Sequence, residues 1–374
     1  MAFEPGTVFA GYTIRKLVGS GGMGQVYLAQ HPRLQRQVAL KVVNSALSAD
    51  PKARARFERE VEVVTRLEHP NIVAIHDRSG PGDPVLWLAM RYVSGGDTAE
   101  LIARADGRLP ADRALHLITG AARGLGFAHR QGVLHRDVKP ANLLIEQIDD
   151  LEQVLVADFG IARSLDDTAT RSTVMASLAY AAPERFEGVP VDLRADVYSL
   201  GATFYEMLTG QTPFPRSDQA AVFAAHLTAP PPRPTALRPD LPGGLDEVIA
   251  TAMAKSPGHR FSDCMEFATE TERALTSSDR ATMVNPRHLV PKPPASAPPK
   301  SPAAEPAESG SPVRAIVFIA VSLLILLALV IALIRGVSSA GHRQSMEPTT
   351  AAGAAIAMPI KIAPVQGFTS AVDF

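Results

Sequence analysis

The first 275 or so residues predict an α+β fold, followed by a disordered linker and one transmembrane helix. Three observations carry that division. Short apolar strands flank a glycine-rich turn near the N-terminus, and a capped amphipathic helix follows them. Two polar motifs, His135-Arg136-Asp137-Val138-Lys139-Pro140-Ala141-Asn142 and Asp158-Phe159-Gly160, come next, with Asp158 sixteen residues after Asn142. Beyond residue 275 the composition changes twice, first to proline-rich and then to an uninterrupted apolar run.

Bulk properties exclude some classes. The 374 residues carry 37 Lys and Arg against 38 Asp and Glu, a net charge of −1, so no global field draws nucleic acid. The single cysteine, Cys264, rules out an intrachain disulfide and a thiolate metal cluster. The first twenty residues lack the charged head and apolar run of a secretory signal. There is no internal repeat.

Tyr12 to Val18 reads as a strand with imperfect alternation, and Gln25 to Gln30 as another. Between them stands Gly19-Ser20-Gly21-Gly22-Met23-Gly24. In a dinucleotide fold such glycines open a helix whose N-terminus holds the pyrophosphate. Here a strand follows, ended by His31-Pro32, so no helix dipole is on offer. The segment is then either a glycine flap whose amides lie over phosphates or a hairpin turn with surplus glycine. A fixed cation must replace the missing dipole, and the apolar strand Val38 to Val43 contains one, Lys41. A lysine in such a run either snorkels from a sheet edge or faces an anion. Asp50-Pro51 supplies an N-cap and first-turn proline for a helix that stops at His69-Pro70. Phe57, Val61 and Val64 form its apolar stripe. Glu60 borders the stripe, where it either pairs with Lys41 or is solvated.

The two polar motifs set one carboxylate, Asp137, where a hydroxyl can be oriented. Asn142 and Asp158 stand where magnesium ions can be held. Transfer of a phosphoryl group from a nucleotide needs that set of charges in one cleft.

Taken together these residues resemble the protein kinase signature: a glycine flap followed by Val26, the lysine of V-A-L-K, a helix glutamate, H-R-D-x-K-x-x-N and D-F-G. The resemblance runs on through Ala182-Pro183-Glu184, Asp196-Val197-Tyr198-Ser199-Leu200-Gly201 and Arg260, and covers about residues 8 to 275. With the linker and span, the chain resembles a bacterial membrane-anchored, eukaryotic-like (Hanks-type) serine/threonine protein kinase. Lys139, two residues after Asp137, resembles serine/threonine rather than tyrosine kinases.

The resemblance implies a small, mainly β N-lobe over residues 1–90, an antiparallel sheet with one helix. It implies a larger helical C-lobe over 91–275, with ATP between the two. Val18, Gly19, Ser20, Gly21, Gly22, Met23 and Gly24 would cover the nucleotide. Val26, Ala39 and Leu144 would sandwich adenine, with Met90 behind it and Arg91-Tyr92-Val93 as the hinge. Asp97 would meet the ribose, and Lys41, fixed by Glu60, the α- and β-phosphates. Asp137 would accept a hydrogen bond from the attacking hydroxyl and Lys139 steady the γ-phosphate. Asn142 and Asp158 would ligate Mg2+, with Mn2+ as substitute. Phe159 completes D-F-G. Glu184 would pair with Arg260, and Asp196 would brace the catalytic loop. The implied partners are protein substrates bearing Ser or Thr, with a homodimer through the N-lobe as a family precedent and no role for nucleic acid.

Two positions depart from the family pattern. Ala176-Ser177-Leu178-Ala179-Tyr180 stands where Gly-Thr-x-x-Tyr is usual; Ser177 keeps a hydroxyl for Asp137 and Lys139. Arg91 replaces an acidic hinge residue, with little effect expected, because that position works through its backbone. Phosphorylation in trans is expected on Thr168, Thr170, Ser172 or Thr173, the phosphate pairing with Arg136 and a second cation such as Arg163. The alternatives are a pseudokinase scaffold that binds nucleotide without turnover and a small-molecule kinase. All of Lys41, Asp137, Asn142 and Asp158 are present, which argues against the first. The Ala-Pro-Glu and Ser177 region, which resembles a peptide-docking surface, argues against the second.

Residues 276–312 hold nine prolines and few large apolar groups, the composition of an extended linker. Pro230-Pro231-Pro232 and Pro234 are instead assigned to a loop of the C-lobe. From Ala315 to Ile334 there is no charge, and fifteen of twenty residues are Val, Ile, Leu or Phe. Twenty helical residues rise about 30 Å, the hydrocarbon thickness. Insertion would gain on the order of 5 to 9 kcal/mol. Arg314 and Arg335 bracket the span, assigned as 313–335. The alternative, a buried core helix, has no flanking core to enter. Arg287, Lys292, Lys300 and Arg314 precede it against Arg335 and Arg343 after it. That bias predicts a single-pass plasma-membrane protein with a cytoplasmic kinase domain and a short outer tail, 336–374.

Overall fold

The computed structural model describes residues 2–21, 24–149, 151–159, 178–186 and 189–283, the last six as backbone only. Gly22, Met23, Gly160, Thr168, Thr170, Ser172, Thr173, Ser177, the predicted span and tail, and the predicted linker from residue 284 on lie outside the described residues; the first eight positions assigned to that linker, 276–283, are instead the last turns of a helix that begins at Cys264. Among the described residues no helix is long and apolar enough to cross a membrane.

The N-terminal lobe is an antiparallel sheet of six strands: β1 Val8–Phe9, β2 Tyr12–Gly21, β3 Gly24–Gln30, β4 Gln37–Val43, β5 Ile75–Arg78 and β6 Trp87–Arg91, in the order β1-β2-β3-β4-β6-β5. Alternation along the strands buries Tyr12, Ile14, Tyr27, Ala29, Val38, Leu40, Trp87 and Ala89 in one cluster on the outer face. The other face carries Val26, Ala39 and Lys41, the residues expected to meet a nucleotide. Strand structure runs further into the glycine segment than its composition predicts. Ser20 pairs with Gln25 and Gly21 with Gly24. Gly24 has φ +152°, and a side chain there would overlap the Val42 carbonyl, so only glycine lets β3 pass β4 so closely.

Two helices, not one, follow β4. Asn44 caps the short α1 (Ser45–Ala49) by accepting from Leu47 N at 2.9 Å. Asp50 both ends it and caps α2 (Pro51–Val64) by accepting from Lys52 N at 3.0 Å. The predicted stripe of α2, Phe57, Val61 and Val64, is buried. The helix stops at Val64, five residues before His69.

The C-terminal lobe opens with α3 (Thr98–Arg104) and α4 (Ala111–Arg130), then a hairpin of β7 (Leu143–Ile148) and β8 (Leu151–Val156). Helix α5 (Arg194–Thr209) is apolar nearly all round and runs through the lobe's centre, burying Val197, Tyr198, Leu200, Phe204, Met207 and Leu208. Around it stand α6 (Gln219–Thr228), α7 (Pro234–Leu237), α8 (Gly244–Ala252) and α9 (Cys264–Met283). Pro230-Pro231-Pro232 lies in the loop between α6 and α7, whereas Pro234, also assigned to that loop, opens α7. Cys264, at the start of α9, has no exposed surface, and burial pushes its thiol pKa well up.

Candidate active site

The catalytic loop is built on an unusual backbone. Arg136 and Asp158 both adopt left-handed φ, +64° and +58°, a conformation that costs non-glycine residues energy and persists only where the surroundings impose it. Asp196, buried on α5, imposes it on the first. Its Oδ1 accepts from Arg136 N at 2.7 Å and its Oδ2 from His135 N and His129 Nε2, both at 2.8 Å. Burial alone would raise the Asp196 pKa. The hydrogen bond and charge of His129, with His135 beyond, reverse that and hold it below the usual range. The fully buried His135 extends the brace. Its Nδ1 accepts from Asp137 N at 3.1 Å, its Nε2 donates to the Ala157 carbonyl at 2.8 Å, and its ring lies 4.7 Å from that of Phe159. One side-chain chain thus ties Asp137 to the segment that carries Asp158.

Five side chains converge above this brace. Lys139 Nζ donates to Asp137 Oδ2 at 2.7 Å. Asn142 Nδ2 donates to the Asp137 carbonyl at 2.7 Å and to Oδ2 at 3.1 Å. Lys41 Nζ meets Asp158 Oδ1 at 2.8 Å. Burial opposes the charge on Asp158, but the Lys41 ammonium outweighs it and holds the carboxyl below its usual range.

The expected Lys41–Glu60 pair is not formed. Lys41 is taken by Asp158. Glu60 instead lines a cavity of about 420 Å³ with Arg56, Arg59, Arg136 and Phe159, between α2 and the catalytic loop. The reason is the helix face: Glu60 sits at the edge of the buried stripe, on the side of α2 that lines this cavity.

The set expected to face adenine is assembled by strand register. Val26 is opposite Lys41, and Ala39 is opposite Met90. Met90 and Val93 are buried, and Leu144 comes up from β7. Val18, in contrast, is half exposed. Tyr92 lies in the connection after β6. The next turn is fastened to β7: Ile145 N donates to the Gly96 carbonyl at 2.9 Å, and Thr98 Oγ1 to the Leu143 carbonyl at 2.8 Å. Asp97 caps α3, accepting from Glu100 N at 2.9 Å, and burial raises its pKa.

Arg91 does more than its backbone role foretold. Its guanidinium meets Glu146 Oε2 at 2.6 Å, joining the last residue of β6 to β7. Spacing alone could not pair residues so far apart. His129 was also missed, because a histidine in the last turn of a helix carries no pattern of its own. On the far side of the lobe, Glu184 and Arg260 form a bidentate pair at 2.7 Å and 2.7 Å, with side chains 3% and 0% exposed. Arg185 donates to the Arg136 carbonyl, docking the Ala-Pro-Glu turn on the catalytic loop. Tyr180 hydrogen-bonds Glu206 of α5.

The donor chemistry suits a hard divalent cation. Among the described residues no cluster of three or more His, Cys, Asp or Glu could hold a metal alone. The Asp158 carboxylate and the Asn142 amide oxygen are the kind of sparse oxygen set that binds magnesium together with phosphate oxygens and water.

Two lobes with a lysine, two carboxylates and an amide between them define a phosphoryl-transfer fold. The chain belongs to the protein kinase domain family, whose model matches residues 12–269. It is 49% identical over 275 residues to the serine/threonine-protein kinase PknJ of Mycobacterium tuberculosis, covering 72% of this chain and 46% of that protein. It is 47% identical to PknF of the same organism, covering 72% and 57%. The chain therefore spans about half the length of these curated relatives. The crystal structure of the Mycobacterium tuberculosis PknI kinase domain superposes with a TM-score of 0.60 at 41% identity, covering 73% of this chain and 100% of that one.

Proposed function

We propose that the chain is an ATP-dependent serine/threonine protein kinase that transfers the γ-phosphate of ATP to protein hydroxyls and to its own activation loop. The observation that carries this reading is the meeting of two bonded groups, Asp137 held by Lys139 and Asn142, and Asp158 paired with Lys41, with Asp137 close enough to act electrostatically on Asp158. The transition state of phosphoryl transfer is loose, so positioning and charge neutralisation do most of the work. Lys41 would hold the α- and β-phosphates. Asp137, oriented by Lys139 and Asn142, would accept the hydrogen bond of the attacking hydroxyl, and Lys139 would steady the γ-phosphate. Val26, Ala39, Leu144 and Met90 would enclose adenine. Asn142 and Asp158 would hold Mg2+ or Mn2+, which when bound supplies positive charge to the β- and γ-phosphate oxygens. The Lys41–Asp158 pair fits this reading: two partly buried charges destined for phosphate and metal neutralise each other meanwhile.

The proposal extends to architecture. Residues 1–283 would form the catalytic domain, since α9 carries it past the 275 read from the sequence, with 284–312 a juxtamembrane linker, 313–335 a single span and 336–374 an outer tail, the kinase on the cytoplasmic side. The activation-loop phosphate on Thr168, Thr170, Ser172 or Thr173 would be held by Arg136, and the N-lobe would be the dimer contact.

Labelled ATP, magnesium and a generic protein substrate, with Asp137→Asn run alongside, test the activity. Equal incorporation by both proteins defeats the mechanism. Fractionation tests the anchor: the full chain should sediment with membranes and a chain ending at residue 283 should not. Equal partition would remove the span.

A further inference from the structure

His226 lies outside every role given above, yet it is a fully buried polar side chain with both ring nitrogens engaged. It stands on α6 between the central helix α5 and the loop that precedes Ala182-Pro183-Glu184. Its Nε2 is 3.1 Å from the Ala179 carbonyl, and its Nδ1 is 2.8 Å from the Tyr198 hydroxyl. A carbonyl can only accept, so Nε2 carries the proton and donates; Nδ1 then accepts from Tyr198. Protonation of Nδ1 would break that arrangement. Burial first, and the nearby Lys255 ammonium second, hold the imidazole pKa down to about 4, so the bonded tautomer persists at neutral pH.

The surroundings are closely packed. Tyr198 is fully buried, with the Arg260 guanidinium 4.9 Å from its ring centre. Lys255 Nζ donates to the His226 carbonyl at 2.9 Å and sits 4.7 Å over the Phe214 ring. The loop above is held from below at adjacent residues, Ala179 by His226 and Tyr180 by Glu206. Ala179 also lines an open cavity of about 540 Å³ with Thr212, Phe214, Pro215, Arg216 and Val222. The same segment continues into Arg185, which bonds the catalytic loop.

We propose that His226 is a positioning residue for polypeptide substrates: by holding the Ala179 carbonyl from beneath, it sets the loop on which the substrate chain docks beside Asp137. The proposal rests on the protein kinase reading.

Two amides separate its two bonds. The amide of His226→Asn reaches only the Nδ1 position; it accepts from Tyr198 and leaves Ala179 without a donor. His226→Gln places an N–H where Nε2 stood and restores the bond to Ala179. His226→Leu fills the space with no donor at all. Steady-state kinetics with dephosphorylated casein as probe should show KM for casein raised about tenfold, ~1.4 kcal/mol, in the Asn and Leu proteins. It should stay within about threefold of the parent in the Gln protein. KM for ATP should stay within about twofold in all three. An unaltered casein KM in both donor-less proteins, or an equal rise in all three, overturns the proposal. An equal rise in KM for ATP also overturns it, because the effect would then be a general loss of packing. A parent protein that transfers no label from ATP to casein or to itself would instead remove the kinase reading beneath it.

Discussion

Replacing Asp196 by asparagine keeps size and shape and removes one acceptor oxygen. The carboxylate now satisfies three donors, two of them backbone N–H groups of the catalytic loop. Asparagine can turn its oxygen toward His135 N and His129 Nε2, but its NH2 group then faces Arg136 N. One partly buried N–H is orphaned, at about 1–3 kcal/mol, and the surviving bonds lose their charge assistance, roughly another 1 kcal/mol. The expected loss is about 2–4 kcal/mol, against a total stability of about 5–15 kcal/mol for an ordinary domain. Arg136 held its left-handed φ of +64° because Asp196 fixed its amide. Release lets the loop relax, and Asp137 is the next residue. A displacement of about 1 Å at a reacting group costs on the order of a hundredfold in rate. Urea unfolding followed by tryptophan fluorescence, together with kcat on a protein substrate, measures both. Unchanged stability would refute the acceptor accounting. Lost stability with unchanged kcat would refute the link between brace and catalytic loop.

Three further outcomes are expected. Gly95→Ala should weaken ATP binding by roughly tenfold, because its Cβ would overlap the Ile145 carbonyl and push the hinge away from the strand that carries Leu144; isothermal titration with ATP checks it. Glu184→Ala leaves the Arg260 guanidinium buried without its carboxylate and should cost about 3–5 kcal/mol. Adding Arg260→Met should recover part of that loss in a double-mutant cycle, and strict additivity would count against a buried pair. His226 predicts a pH effect. Its pKa falls from 6.5 to about 4 on folding, so the unfolded chain takes the proton first. Stability is intact above pH 6.5 and is withdrawn as pH falls toward 4, by on the order of 3 kcal/mol at most. His226→Gln should flatten thermal midpoints over that window relative to the parent.

The polar motifs were legible because each is a contiguous string, although the backbone they adopt is imposed from a distance by Asp196. The α2 helix was legible because Asp50, Pro51 and the Phe57 stripe obey local rules. What escaped is long-range or rotational. Lys41 meets Asp158 rather than Glu60, whose place at the stripe edge is compatible with two faces of α2. Arg91 and Glu146 meet only because the hinge turns back along β7. His129 and His226 acquire their roles from α5, a helix so uniformly apolar that its sequence does not say which side faces which neighbour. The extra helix α1 was hidden because Asn44 and Asp50 cap a segment barely longer than one turn.

The chain's lone thiol, sealed at the root of α9, leaves the outer surface of the described domain bare of sulfhydryl chemistry. Maleimide dyes should ignore the folded protein. A single engineered cysteine, on the glycine flap for instance, would then be the sole attachment point for a fluorophore, and nucleotide-driven movements could be followed with no background to subtract.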